Sequence, residues 1–226
     1  MKLKVNKSKE AIAESTGGSY ISKTGIYDVT IKFASLDVAA SGAERVNFNI
    51  DYNGNSQTIW GPWVTSKANT PIEIGMKLIN SLAVIAGIEE GEELTFEEET
   101  HKVGKDNKPQ EFTVIEQFTD LPCKMRLQEE YSINPKTNDI KKTMVLKSFF
   151  REDGASAIEC ESGENIGARL ALETERYGTN ITYKDDLTPD DIKKWLDGKK
   201  TGDNKASAKK PAPTVKKAAA RKPMFQ

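Results

Sequence analysis

The chain has 226 residues, of which 37% are hydrophobic and 30% are charged, which is enough for one large domain or two small ones with a real core. No apolar run approaches the roughly 20 residues of a membrane-spanning helix, and no apolar signal region opens the chain, so we expect neither membrane insertion nor secretion. The net charge is −1, but residues 199–226 hold nine Lys or Arg and one Asp, a net +8, which leaves −9 for the rest. Such an acidic body argues against coating of nucleic acid by overall charge, and any nucleic-acid site has to be local.

Residues 1–22 are polar, and we expect them to form a flexible N-terminal segment ahead of one domain at residues 23–197. Two alternating segments open the domain and are typical of half-buried strands. The first predicts a buried face of Tyr27, Val29, Ile31 and Phe33. The second predicts a buried face of Val46, Phe48, Ile50 and Tyr52. Asn53-Gly54 then predicts a two-residue type I′ turn, because both positions of that turn need positive φ.

The turn determines on which face of the sheet each side chain lies in the next segment, TIWGPWVT at residues 58–65. Trp60 lies opposite Asn47 in this register and shares its polar, outward face. Trp63 takes the core face if the strand is unbroken. Gly61-Pro62 allows a kink there, because proline donates no ladder hydrogen bond. We expect Trp60 to be exposed and Trp63 to be mainly buried.

A helix is predicted after this third strand. Its predicted N-cap is Thr70, and Pro71 takes the first helical position. Glu73 is predicted to complete a capping box with Thr70. Its predicted apolar stripe is Ile74, Leu78, Leu82 and Ile85. Gly87 is predicted to end the helix.

The remainder predicts an inserted hairpin, a second hairpin, two helices and a tail. An acidic run occupies residues 89–99, and the inserted hairpin has its tip in KVGKDNKPQ. The second hairpin flanks INPKTND, and the helices lie in ENIGARLALETERY and, capped by Thr188, in LTPDDIKKWL. Residues 198–226, rich in Lys, Ala and Pro, are expected to be a disordered basic tail.

Three strands, a helix and two more strands form the element order of an OB-fold barrel, which binds oligonucleotides on one sheet face and its loops. We therefore predict a mainly β domain with flanking helices, of α+β class. It is a five-stranded OB-fold-like barrel with an inserted hairpin, C-terminal helices and a disordered basic tail.

The register of the second hairpin predicts a cationic face. The predicted pairs are Leu127 with Leu146 in the core and, on the other face, Arg126 with Lys147 and Lys124 with Phe149. Two cations directly opposite each other repel, so such a face makes sense if it meets phosphates. Phe149 then offers a stacking surface between Lys147 and Arg151. The alternative is that Phe149 packs beneath the flanking helix.

The sequence contains no catalytic constellation. His101 is the only histidine, and no P-loop, dinucleotide-binding or zinc spacing occurs. Cys123 and Cys160 match no metal or redox spacing, so we expect reduced thiols. Asp28 and Asp51 are expected to face each other across the first hairpin, where two carboxylates make only a weak oxygen site. We predict no enzyme, no cofactor and no metal.

A long downstream segment of the chain resembles a known group of proteins. The segment PCKMRLQEEYSINPKTNDIKKTMVLKSFFRE, followed by NITYKDDLTPDDIKKWLDG, resembles the single-stranded DNA-binding proteins of tailed bacteriophages. The upstream YDVTI and PIEIGMKLINSLAVIAGI segments are similar to the same group, so the resemblance covers roughly residues 24–198. It implies an OB-fold, no catalysis, sequence-tolerant binding of single strands, and a role in phage replication, recombination and repair in the host cytoplasm. Such proteins often end in an acidic tail with an aromatic tip, whereas Phe225 lies in a basic tail.

We therefore predict a sequence-nonspecific protein that coats and protects single-stranded DNA, with phage replication or recombination proteins as further partners. The predicted stacking residues are Trp60, Phe149 and Trp63. The predicted phosphate contacts are Lys32, Lys124, Arg126, Lys147 and Arg151. The alternative is a phage protein-interaction factor that binds a host or phage replication or transcription protein through its charged segments. A third hypothesis is a strand-annealing recombinase, which requires a ring oligomer.

Overall fold

A computed structural model describes residues 20–104 and 108–200, which form eight strands, four α-helices and one 3₁₀ helix at Glu116–Phe118. The strands are β1 (Gly25–Val38), β2 (Glu44–Tyr52), β3 (Asn55–Ile59), β4 (Phe96–Val103), β5 (Lys108–Ile115), β6 (Leu121–Ile133), β7 (Ile140–Phe150) and β8 (Ile181–Tyr183). The helices are α1 (Glu73–Ile85), α2 (Ala157–Ser162), α3 (Ala168–Tyr177) and α4 (Pro189–Lys200). The predicted mainly β class with flanking helices is confirmed.

Strand β1 organises the sheet because both of its edges are paired. β2 pairs with one edge and carries β3 on its far side. The other edge is shared, with β6 along residues 25–31 and β5 along residues 34–36. β4 and β5 form the predicted inserted hairpin, and β7 pairs with β6. In the order β3-β2-β1-β6-β7, no ladder joins β3 to β7 within the described residues, so the sheet is open there.

The first predicted turn is present. Asn53 and Gly54 have φ of 51° and 79°, and Tyr52 lies opposite Asn55. The core face of β2 is as expected, but Asn49 on the other face is only 3% exposed. Its amide oxygen accepts a hydrogen bond from Thr58 at 2.8 Å, which satisfies a polar group that the fold has buried.

A bulge in β1 changes the face predicted for Phe33. Lys32 is an extra residue between the pairs made by Ile31 and Phe33. Because side chains alternate along a strand, one extra residue inverts every face beyond it. Phe33 therefore lies outside the core cluster that contains Ile31 and stacks on His101, with ring centroids 3.9 Å apart. The prediction of a common face for Ile31 and Phe33 was wrong.

A bulge in β7 has the same effect. Leu127 faces Leu146 as predicted, but Lys147 is the extra residue that follows. The pairs beyond it are Arg126 with Ser148, Met125 with Phe149 and Lys124 with Phe150. The predicted pairs of Arg126 with Lys147 and of Lys124 with Phe149 were therefore wrong.

Helix α1 begins later than predicted, and its buried face matches the predicted stripe only at Leu82 and Ile85. Pro71 pairs with Thr65 in an isolated bridge, and the N-cap is Ile72, which makes no side-chain cap. The predicted capping box is therefore absent, and Ile74 is 83% exposed. The buried positions are Gly75, Ile79, Leu82 and Ile85. Gly87 adopts the positive φ of 79° expected at the helix end.

The last helix is capped as predicted. The Asp191 amide donates to Thr188 Oγ1 at 3.3 Å, and the Thr188 amide donates to Asp191 Oδ2 at 3.0 Å. Helix α4 extends to Lys200, past the predicted domain end. At the other end, Ile21 is buried at 3% exposure, inside the segment predicted to be flexible. The rest of the predicted flexible segment and basic tail lies outside the described residues.

The main core lies between the sheet and α1, and a smaller cluster under α4 contains Tyr131, Ile140 and Ile192. In residues 20–104 and 108–200, no helix has the length and apolar character needed to cross a membrane.

Candidate functional site

A groove of about 890 Å³ lies where the sheet is open. One wall is the segment at residues 60–63, which follows β3, and the opposite wall is residues 145–150 of β7. Helix α1 supplies a third wall, and α2 and α3 complete the lining. The groove is thus formed by β7 and by the segment that follows β3, at the gap between the two strands that would have to pair to close the sheet.

A bulge at Gly61-Pro62 places both indoles of the groove on one face. Phe48 lies opposite Ile59, whereas Arg45 lies opposite Trp63, so one extra residue is inserted between these two pairs. Trp63 is thereby moved to the face that Trp60 takes. The exposed fractions of Trp60 and Trp63 are 53% and 41%. The predicted exposure of Trp60 is confirmed, and the prediction that Trp63 is mainly buried was wrong.

Two glycines hold this segment against its neighbours. A Cβ atom at Gly61 would lie 1.9 Å from the Val46 carbonyl oxygen, and one at Gly75 would lie 1.9 Å from the Trp63 carbonyl oxygen. Neither distance is compatible with any side chain. The segment is therefore pressed onto β2 on one side and onto α1 on the other, which only glycine permits.

Arg45 lies against both indoles. Its Cζ atom is 4.1 Å from the centroid of the Trp60 ring and 5.2 Å from that of Trp63, within the range of cation–π interaction. Its Nε and Nη2 atoms donate to Asp37 Oδ2 at 2.9 and 2.7 Å. One face of Trp60 is therefore covered by a guanidinium, while the ring as a whole stays half exposed.

The outer part of the groove carries lysines and exposed isoleucines. Lys77 is strongly exposed and makes an ion pair of 2.6 Å with Glu73. Lys147, the bulged residue of β7, lines the groove and makes no ion pair within the described part of the chain. Ile74 and Ile158, which are 83% and 78% exposed, add apolar surface. The groove therefore combines aromatic, aliphatic and cationic groups.

The inner end of the groove is a buried ionic cluster. Glu173 of α3 accepts hydrogen bonds from Arg126 Nε at 2.6 Å, Ser148 Oγ at 2.7 Å and Arg169 Nε at 2.8 Å. Burial raises the pKa of Glu173, but the hydrogen bonds from Ser148 and Arg169 and the charge of Arg126 outweigh it and hold the pKa below its ordinary value. This carboxylate is therefore ionised and fastens α3 to β6 and β7.

Three predicted phosphate contacts are already engaged by carboxylates. Lys32 pairs with Asp120, and Lys124 pairs with Asp28. Arg151 forms a bidentate pair with Asp153, and its hydrogen bond lowers the pKa of that aspartate to about 2. None of the three cations lines the groove.

Two further predicted site residues are buried. Phe149 is 2% exposed and packs edge-on against Phe48 with ring centroids 5.2 Å apart, so it cannot be a stacking platform. Arg126 is 9% exposed and is held by Glu173. The bulge at Lys147 explains why Phe149 is buried, because it turns that ring from the polar face to the core. Of the eight predicted residues, Trp60, Trp63 and Lys147 line the groove without being buried.

Sequence reasoning missed Arg45, Lys77, Ile74 and Ile158. Arg45 had a detectable signal, since it lies on the predicted outward face of β2 together with Asn47. Ile74 was assigned to the core because its spacing from Leu78 is helical. The later start of α1 removes that assignment, and no pattern in the sequence marks this start.

A second groove of about 460 Å³ contains Asp28, Asp51, Lys124 and Glu152. The expected pairing of Asp28 with Asp51 was wrong, because Asp51 lies opposite Thr30 and Asp28 lies opposite Lys124. Within residues 20–104 and 108–200, no group of three or more His, Cys, Asp or Glu side chains is placed to hold a metal ion.

No protein-family model matches this chain, and no curated protein and no solved structure gives a match to it.

Proposed function

We propose that this protein binds single-stranded DNA without sequence specificity, with bases stacked on Trp60 and Trp63 in the open groove. The observation that carries the proposal is the bulge at Gly61-Pro62, which leaves two large indoles half exposed on one face. Exposed aromatics beside cations are the means by which such proteins bind bases of any sequence. Each stacked base contributes about 1–3 kcal/mol.

The phosphate contacts are proposed at Lys147 and Lys77, which lie on two different walls of the groove, β7 and α1. Lys147 has no carboxylate partner within the described residues, so a phosphate displaces nothing there. Lys77 has only an exposed pair with Glu73, and exposed pairs contribute little to stability. Both lysines are therefore free to exchange solvent or a weak partner for a phosphate.

The order of the strands and of α1 supports the proposal. The five strands in the order β3-β2-β1-β6-β7, with α1 between β3 and β6, follow the element order of that fold, and β4 and β5 are an insertion. OB-folds bind nucleic acids across one sheet face and the adjoining loops. A role in phage replication, recombination and repair in the host cytoplasm is proposed from the sequence resemblance to phage single-stranded DNA-binding proteins.

Intrinsic fluorescence tests the proposal. Titration with oligo-dT should quench the tryptophan emission of the wild type, with an affinity that falls as salt rises. Trp60→Leu and Trp63→Leu should each weaken binding by about 1–3 kcal/mol. The matched control is Trp195→Phe, because Trp195 packs against Tyr131 in the small cluster under α4. The proposal is refuted if the wild type shows no salt-dependent binding, or if Trp195→Phe is as defective as the groove variants.

A protein partner is the second candidate, and the exposed isoleucines favour it. Ile74 and Ile158 add apolar surface that phosphates do not use. A replication or transcription protein captured from nuclease-treated bacterial lysate should be lost with Ile158→Ser, whereas oligo-dT binding should persist. Loss of both activities with this variant would argue that the isoleucines contact DNA.

A further inference from the structure

Arg45 is connected to the indoles in a way that suits positioning rather than contact with DNA. Its guanidinium lies over Trp60 and Trp63, and its Nε and Nη2 atoms donate to Asp37 Oδ2 at 2.9 and 2.7 Å. We infer that Arg45, fixed by Asp37, is a positioning residue that holds the two indoles ready for stacking. This inference rests on the proposed function.

Asp37 reaches the bulge by a second route. The Asn47 amide nitrogen donates to Asp37 Oδ2 at 3.4 Å, and the Asn47 amide oxygen accepts from the Gly61 amide at 3.4 Å. The same carboxylate therefore orients the cation above the rings and the amide that contacts the bulge. Both routes run from β1 through β2 to the segment that carries the indoles.

The alternative role for Arg45 is a phosphate contact. Three observations oppose it: the side chain is only 23% exposed, its charge is paired with Asp37, and its Cζ atom lies over the rings. A preformed ring arrangement strengthens binding in another way, because rings that are already fixed lose less freedom when a base stacks on them.

Asp37→Asn separates the two roles because they predict changes of opposite sign. The substitution removes a negative charge beside the groove, so if charge alone matters, binding of oligo-dT becomes tighter. If Asp37 positions Arg45, binding becomes weaker, by about tenfold, as expected when a stacked cation no longer holds the rings. The matched control is Glu97→Gln, which changes the net charge equally on the exposed hairpin strand β4 and should bind like the wild type.

Arg45→Lys provides the second variant. Lysine keeps the charge but lacks the planar fork that binds Asp37 and covers a ring. A phosphate contact would be largely preserved by lysine. A positioning role predicts that Arg45→Lys binds as weakly as Asp37→Asn, with an unchanged slope of log affinity against log salt.

Acrylamide quenching of the free protein tests positioning without DNA. In both variants acrylamide should quench the tryptophan emission more than in the wild type and in Glu97→Gln. An unchanged midpoint of urea unfolding shows that the variants are folded. The inference is overturned if quenching is unchanged in both variants, if Asp37→Asn binds more tightly, or if Arg45→Lys retains full affinity. Failure of the wild type to bind oligo-dT refutes the proposed function instead, and quenching alone then decides whether Arg45 fixes the rings. If Asp37→Asn does not fold, Arg45→Lys carries the same test.

Discussion

Gly61 decides where the two indoles lie. It is at the bulge that moves Trp63 onto the face of Trp60, and the Val46 carbonyl oxygen occupies the space that a side chain would need. A neighbouring backbone atom cannot move aside like the end of a flexible side chain. Any residue but glycine must therefore displace the indole-bearing segment from β2.

Gly61→Ala should destabilise the fold by about 1–3 kcal/mol, the usual cost of overpacking, and should weaken oligo-dT binding beyond what that loss explains. Urea unfolding and fluorescence titration measure the two effects. Gly91→Ala is the control, because Gly91 has φ of 88° and open space around it, so only local backbone strain is added, about 1 kcal/mol. Equal affinity of Gly61→Ala and wild type would contradict the role assigned to the bulge.

At the scale of elements, α3 is fastened to the sheet by charge. The Glu173 side chain is 5% exposed and pairs with Arg126 and Arg169, so its loss leaves the buried Arg126 without a counterion. Glu173→Gln should lower the free energy of unfolding by about 3–5 kcal/mol, as for other buried pairs that lose one partner. Urea unfolding at neutral pH measures it, and Glu97→Gln, at an exposed position of β4, is expected to have no effect.

The contribution of Glu173 has a definite pH dependence. Its pKa in the folded protein lies below the ordinary value of 4.5, so the unfolded chain binds the proton more tightly. The stabilisation is therefore complete above the ordinary value and is lost as the pH falls through the folded value. The stability difference between the wild type and Glu173→Gln should shrink in acid below about pH 4.5. A stability difference that grows on acidification would contradict a lowered pKa of Glu173 in the folded protein.

Hairpins were predictable from the sequence, and bulges were not. Asn53-Gly54 specified its turn through the backbone conformations it allows, and the core pair of Leu127 with Leu146 followed from the pattern of the second hairpin. The extra residues at Lys32, Lys147 and Gly61-Pro62 inverted the faces of Phe33, Phe149 and Trp63. A bulge inserts one extra residue and bends the strand, but no residue pattern at Lys32 or Lys147 marks it in the sequence. The candidate site was hence only partly predictable.

The charge of the whole molecule is divided unevenly. Residues 201–226 contain seven Lys or Arg and one Asp, a net +6, which leaves −7 for residues 1–200. Under the proposed function, the acidic body repels DNA everywhere except at the groove, and the groove itself offers Lys77 and Lys147 as its proposed phosphate contacts. Stacking on two indoles gives affinity but little salt dependence. A strong salt dependence must therefore come from cations elsewhere, and the basic tail is the densest source of them.

Truncation after Lys200 should flatten the slope of log affinity against log salt, by as much as about 5 if all seven cations meet phosphates, since each contact to a single strand contributes about 0.7. The matched variant keeps the tail length but carries Gln in place of its Lys and Arg, and it should behave like the truncation. An unchanged slope would exclude the tail from the binding site. A truncation that flattens the slope while the Gln variant does not would mean that tail length, not charge, matters. Whether tail charge or tail length matters, tryptophan emission should still be quenched when the truncated protein binds oligo-dT, because Trp60 and Trp63 belong to the body of the fold.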